Sequence, residues 1–193
     1  INGVMKMQIK QITLDNGFAT NAYFCIDETT KHGFLIDPGA EAARLLKIAE
    51  ENQWQIEKIL LTHGHVDHIS AVETISKALQ IPYFIHEKGN DYLSAFFGSE
   101  IVLNEAKLLK DGEKISLEKN PDFSLKIIHT PGHTADSSIF YCEKEQIAFS
   151  GDTIFYGSVG RTDLPGGDMQ QLKHSIQTKI FTLPEKTVLY PGH

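Results

Sequence analysis

At 193 residues the chain can bury one substantial core, and with 41% apolar and 22% charged residues it reads as a soluble globular protein, a single domain over residues 7–193. A net charge of -7 without any basic stretch argues against nucleic acid, since phosphate binding needs clustered Lys and Arg. The expectation is a cytoplasmic monomer or homodimer with no membrane partner. No apolar run reaches the roughly 18–20 residues of a membrane span, no signal-peptide core opens the chain, and Cys25 and Cys142 are too few and too far apart for a disulfide framework. Residues 1–6 are set aside as a vector remnant or a disordered start, with Met5 or Met7 as the natural initiator.

In chain order, apolar–polar alternation predicts a strand over 7–14, a turn at Asp15-Asn16-Gly17, and strands over 22–26 and 33–36. The last of these ends at Asp37-Pro38-Gly39 before an amphipathic helix over 41–51; Asp37 is equally suited to capping that turn and to serving a site. Ile59-Leu60-Leu61 reads as a buried strand, and Ile69, Val72, Ile75 and Leu79 recur at helical spacing. Further on come a strand over 82–86, a short helix over 90–97, a hairpin turn or tight connection at Asp111-Gly112, and a strand over 125–129. A hairpin of 137–142 with 146–150, a Gly-rich loop over 157–167, a helix over 169–178 and a strand over 187–190 complete the chain.

Between the buried strand and its helix lies Thr62-His63-Gly64-His65-Val66-Asp67-His68, with four potential metal ligands within six residues. His63 and His65, two apart on an extended segment, point the same way, and Gly64 lets the backbone turn between them. Three imidazoles and a carboxylate crowded at a strand end need partners or a metal, and this donor set suits zinc or iron. Pro-Gly-His then occurs twice, at 131–133 and 191–193, each time directly after a predicted strand. Proline ends strand pairing and glycine permits the turn that aims the next imidazole. The twofold use suggests two similar halves. With Gly151 before Asp152, four strand ends carry a ligand type beside a glycine, so one sheet edge should hold a single site. His63, His65, Asp67, His68, His133, Asp152 and His193 together exceed what one zinc takes and suffice for two metals sharing a carboxylate. His32, His86, His129 and His174 are assigned to surface or internally satisfied positions.

In this order, Thr-His-Gly-His-Val-Asp-His, Thr-Pro-Gly-His-Thr, Ser-Gly-Asp-Thr and Tyr-Pro-Gly-His resemble the motifs of metallo-β-lactamase-fold hydrolases over nearly the whole chain. Residues 151–168 are similar to those of the small glyoxalase II-like (hydroxyacylglutathione hydrolase-like) enzymes. The resemblance implies an αββα sandwich of two mixed sheets flanked by helices, with the site at one edge. It assigns His63, His65 and His133 to one metal and Asp67, His68 and His193 to the other, with Asp152 bridging and Asp37 behind the ligands. It places Arg161 against the thiol-bearing part of a substrate. Two zinc ions are the expected cofactors, iron or manganese being compatible with the same donors. Catalysis by His63, His65, Asp67 and Asp152 would proceed by a metal-bridging hydroxide attacking a small-molecule thioester such as S-lactoylglutathione. The C-terminal helical domain of true glyoxalase II is absent from this sequence, and His193, as its last residue, is expected to be mobile. Sulfur dioxygenases of the same fold, which hold one iron through the equivalents of His63, His133 and Asp152 and act on persulfides, are the alternative resemblance, and lactone hydrolysis is a third.

Overall fold

The computed structural model describes residues 6–91, 103 and 105–193. Its first sheet takes six strands in sequence order: β1 (Met7–Thr13), β2 (Asn21–Asp27), β3 (His32–Ile36), β4 (Gln55–Leu60), β5 (Tyr83–His86) and β6 (Lys107–Leu109). The first two pairings are antiparallel, and those from β3 onward are parallel. In the second sheet β7 (Lys114–Ser116), β8 (Ser124–His129), β9 (Ser138–Cys142) and β10 (Ile147–Gly151) form antiparallel neighbours, and β13 (Val188–Pro191) lies parallel to β10. A small hairpin joins β11 (Ile154–Phe155) to β12 (Ser158–Val159).

The period of two along each strand decides the layering. On β2, Tyr23 and Cys25 face inward and meet Phe123, Leu125, Ile127, Phe140 and Phe149 of the other half. Phe24 and Ile26 of the same strand face outward and pack with α1 (Ala42–Glu51) and α3 (Val72–Leu79) through Leu45, Val72 and Ile75. Across the molecule Ile128, Ile139, Tyr141 and Ala148 face α4 (Met169–Ser175) and the π-helical turn Ile176–Ile180. Every residue of β2 is buried, as a strand covered on both faces requires. The result is the expected αββα sandwich. No helix among the described residues is long and apolar enough to cross a membrane.

Several expectations are revised. The helix after the histidine motif is two pieces, α2 (Val66–Ile69) and α3, because the Ala71 N–H leaves the helical ladder for the Pro38 carbonyl at 3.0 Å. The helix begun at Met169 changes to a π turn where Thr178 Oγ claims the His174 carbonyl at 2.8 Å. Of the two alternatives for Asp111-Gly112, the tight connection holds and the hairpin does not: it carries the chain from β6 in one sheet to β7 in the other. Both Pro-Gly-His segments follow strands of the second sheet, β8 and β13, so the repeated device does not mark two halves. The helix expected over 90–97 falls almost wholly outside the described residues.

Candidate metal centre

Strand β3 runs directly into Asp37, β4 into His63 and His65, and β10 into Asp152, while α2 carries Asp67 and His68 on the same edge. The turns after β8 and β13 bring His133 and His193 to meet them. The ligand atoms of His63, His65, His133 and Asp152 fall within 4.8 Å of one another, as do those of Asp67, His68 and His193. His63 Nε2 and His133 Nε2 lie 3.0 and 2.9 Å from His65 Nδ1. Between the two groups, Asp152 Oδ1 is 3.3 Å from His68 Nε2, and its Oδ2 is 3.4 Å from His133 Nε2 and 3.3 Å from His193 Nε2. The structure therefore brings together all seven sequence-derived ligands, with Asp152 in the middle.

The outer nitrogens of four rings show which way the lone pairs point. His133 Nδ1 meets the Arg161 carbonyl at 2.7 Å and His193 Nδ1 the Phe18 carbonyl at 3.0 Å. A carbonyl only accepts, so each Nδ1 carries a hydrogen and each Nε2 is the atom that faces the cleft. Asp37 imposes the same tautomer on His68, whose Nδ1 lies 2.9 Å from Oδ2. Asp37 also accepts from Thr62 N–H and from Thr62 Oγ–H, at 2.8 and 2.6 Å. With its own hydrogen committed, Thr62 Oγ is left to accept from His63 Nδ1 at 3.1 Å. Asp37 is thus tied to both groups, directly through His68 and through Thr62 to His63, the position expected behind the ligands.

Electrostatics separates the two groups. Burial, then the neighbouring His68, holds His63 well below the usual histidine range; burial and His133 bring His65 down to about 4; burial likewise lowers His133. These are three neutral imidazoles. Burial opposes charge on His68 and His193 too, but Asp152 and Asp37 raise the first well above 6.5, and Asp152 and Asp67 raise the second to about 9. Asp67, despite burial, is lowered to about 2 by His193, His68 and Thr20. Without a cation the carboxylates are balanced only by protons on His68 and His193. A divalent ion on the Nε2 lone pairs supplies the same balance, so the donor set fits metal.

One supporting residue, Thr20, carried no signal in the sequence. Thr20 Oγ donates to Asp67 Oδ2 at 2.9 Å from a turn 47 residues away. Gly160 and Gly192 lie so close that a Cβ at the first would strike the Asp152 carbonyl and the His133 ring, and at the second Asp152 Oδ1 and the His68 ring. His193, expected to be mobile, is held: Gly192 N–H donates to Gly151 O and Asn21 N–H to Gly192 O, both at 2.8 Å. Arg161 lines the cleft mouth, but its side chain is paired with Asp163. His86 and His129 stack on each other at 3.9 Å, and neither belongs to the two donor groups.

The profile of the metallo-beta-lactamase superfamily matches residues 15–193. The chain belongs to this superfamily. Among curated relatives, the probable metallo-hydrolase YqgX of Bacillus subtilis is 34% identical, over 90% of this chain and 84% of its own. The hydroxyacylglutathione hydrolase GloC of Haemophilus influenzae is 31% identical, over 98% and 91%. Among solved structures, the BLEG-1 B3 metallo-beta-lactamase superposes with TM-score 0.87 at 37% identity, covering 96% of this chain and 91% of that one. ETHE1 from Myxococcus xanthus gives 0.81 at 27% (97% and 76%), and TTHA1623 in a di-iron-bound form 0.79 at 32% (95% and 91%). The chain is a metal-dependent hydrolase of the metallo-beta-lactamase superfamily, carrying a His/Asp metal-binding cluster.

Proposed function

We propose that this hydrolase cleaves thioesters at a dinuclear zinc centre. The observation that carries the reading is the pair of donor groups joined through Asp152, whose two oxygens face imidazoles of both. His63, His65 and His133 would hold one ion, Asp67, His68 and His193 the other, and Asp152 both. When bound, such ions polarise a carbonyl and make water a competent nucleophile near neutral pH. Asp67, anchored by Thr20, would take up the proton given off by that water while itself a ligand, and the imidazoles, fixed by the Arg161, Phe18 and Asp37 oxygens, would keep the donors from reorganising as charge develops. The thiol leaves as a thiolate, since a pKa near 8.5 needs no general acid. Arg161, a residue of the mouth whose side chain is paired with Asp163, would be the contact for the thiol-bearing part of the substrate. The similarity to GloC supports the thioester class.

A mononuclear iron persulfide dioxygenase is the second reading, favoured by the likeness to ETHE1. It leaves Asp67, His68 and His193 converging without a task. The deciding experiment pairs elemental analysis with hydrolysis of S-lactoylglutathione in an oxygen electrode. About two metals per chain and thioester cleavage without oxygen uptake are expected; oxygen-consuming persulfide turnover by a form with one iron would reverse the choice.

A further inference from the structure

The metal cleft, about 200 Å³ in volume, is lined outside its donor residues by Phe18, Val66, Leu164 and Arg161, the last being its one Lys or Arg among the described residues. Phe18 and Val66 remain 62% and 39% exposed, so the approach to the metal donors is apolar. The Arg161 guanidinium is already engaged. Its Nε and Nη2 donate to Asp163 Oδ1 and Oδ2 at 2.7 and 2.8 Å, a bidentate fork. Its main chain is pinned on the cleft side, where the Arg161 carbonyl accepts from His133 Nδ1 at 2.7 Å. Being exposed, this ion pair adds little to stability. What it changes is the field at the mouth: an approaching anion meets a closed dipole where an unpaired guanidinium would present a full charge.

We infer, resting on the thioesterase reading above, that Asp163 is a specificity-determining residue: by pairing with Arg161 it cancels the charge of the one Lys or Arg that lines the cleft among the described residues and biases the site toward acyl thioesters of uncharged thiols over those of anionic thiols. The opposite role, in which Asp163 merely orients Arg161 for an anion, predicts the opposite sign. An anion on the outer edge of the guanidinium sits on the order of 7 Å from the Asp163 carboxylate, and removing a charge at that range in water changes its affinity about two- to three-fold.

The test uses metal-loaded protein at low salt and a matched pair of product-like thiols, N-acetylcysteine, which is anionic, and its uncharged amide, with affinities read by calorimetry and turnover read on their acyl thioesters. In Asp163→Asn and Asp163→Ala the anionic-to-neutral affinity ratio should rise about two- to three-fold. Arg161→Ala should lower it, and the double variant Arg161→Ala/Asp163→Ala should return it near the wild-type value. A ratio that stays fixed or falls in both Asp163 variants overturns the assignment, as does failure of either thiol to bind at millimolar concentration. Should both thiols bind while neither thioester is turned over, the thioesterase reading fails by itself and the affinity ratio still decides the role of Asp163.

Discussion

Asp37→Asn isolates the chemistry behind the ligands. Asp37 has φ 49°, a left-handed conformation that Asn tolerates, so the backbone should persist and only hydrogen bonding should change. The carboxylate accepts three bonds, from Thr62 N–H and Oγ–H and from His68 Nδ1–H. An amide offers one oxygen and one NH2. If the oxygen keeps His68 and Thr62 Oγ, the NH2 faces Thr62 N–H and leaves a buried donor without an acceptor, a loss of about 1–3 kcal/mol. Conversion of the other two from charge-assisted to neutral bonds adds roughly 1 kcal/mol, for about 2–4 kcal/mol in all. If the amide turns the other way, the NH2 confronts His68 and forces a hydrogen onto the Nε2 that faces the cleft. Either way metal affinity should drop by roughly 10–100-fold, as when other outer partners of ligating groups are lost. Urea unfolding of the metal-free protein gives the first quantity and chelator competition the second. Wild-type metal affinity together with a stability loss below about 1 kcal/mol would refute the assigned network.

His133→Ala should abolish turnover and release most of one metal, a larger effect than the roughly 10–100-fold expected for Asp37→Asn; near-normal metal content would contradict the ligand assignment. Gly192→Ala places a methyl against Asp152 Oδ1 and the His68 ring, so it should cost about 1–3 kcal/mol and weaken metal binding in the chelator assay. Thr20→Val should leave the fold intact yet lower kcat at low pH, because Asp67 loses the hydroxyl that helps hold it ionised; identical pH–rate profiles would remove Thr20 from the site. His86, 3% exposed, is lowered from 6.5 to about 4 by burial and then by His129. Its neutral folded form is stabilised above pH 6.5, and the unfolded chain gains the proton first on acidification. Stability should therefore fall between pH 6.5 and 4, by on the order of 3 kcal/mol from this group. In His86→Phe, which keeps an aromatic ring on His129, that part of the acid slope should vanish in unfolding titrations.

The seven ligand types were legible because metal donors are concentrated where apolar strands end, and glycine or proline beside them marks the turn. Their pooling at one edge followed from the same pattern. What remained hidden lies far apart in sequence. The Ala71 N–H that breaks the helix is taken by Pro38, Asp67 is held by Thr20, and His193 donates to Phe18 O across 175 residues. Helical spacing gives no hint of a competing acceptor on another loop. Strand patterning could not distinguish a hairpin at Asp111-Gly112 from a passage between sheets, because both need the same turn residues. Arg161 was legible as a cation in a loop; that Asp163 occupies it depends on side-chain geometry alone.

One feature of the donor geometry follows from the spacing of His63 and His65. Two residues apart on an extended segment, their Cα atoms are separated by roughly 6.6 Å, yet both rings must bring a nitrogen to one point. The two rings meet with unequal reach: His63 presents its far nitrogen, Nε2, and His65 its near one, Nδ1, at 3.0 Å from each other. His65 can come close because it is also the residue that starts α2, in an extended conformation at φ -67° and ψ 143°. The tautomers must then differ as well, with hydrogen on Nδ1 of His63, where Thr62 Oγ receives it, and on Nε2 of His65. The local turn that begins the helix thus dictates which imidazole atom faces the centre, and this links the Gly64 bend to the chemistry of the cleft.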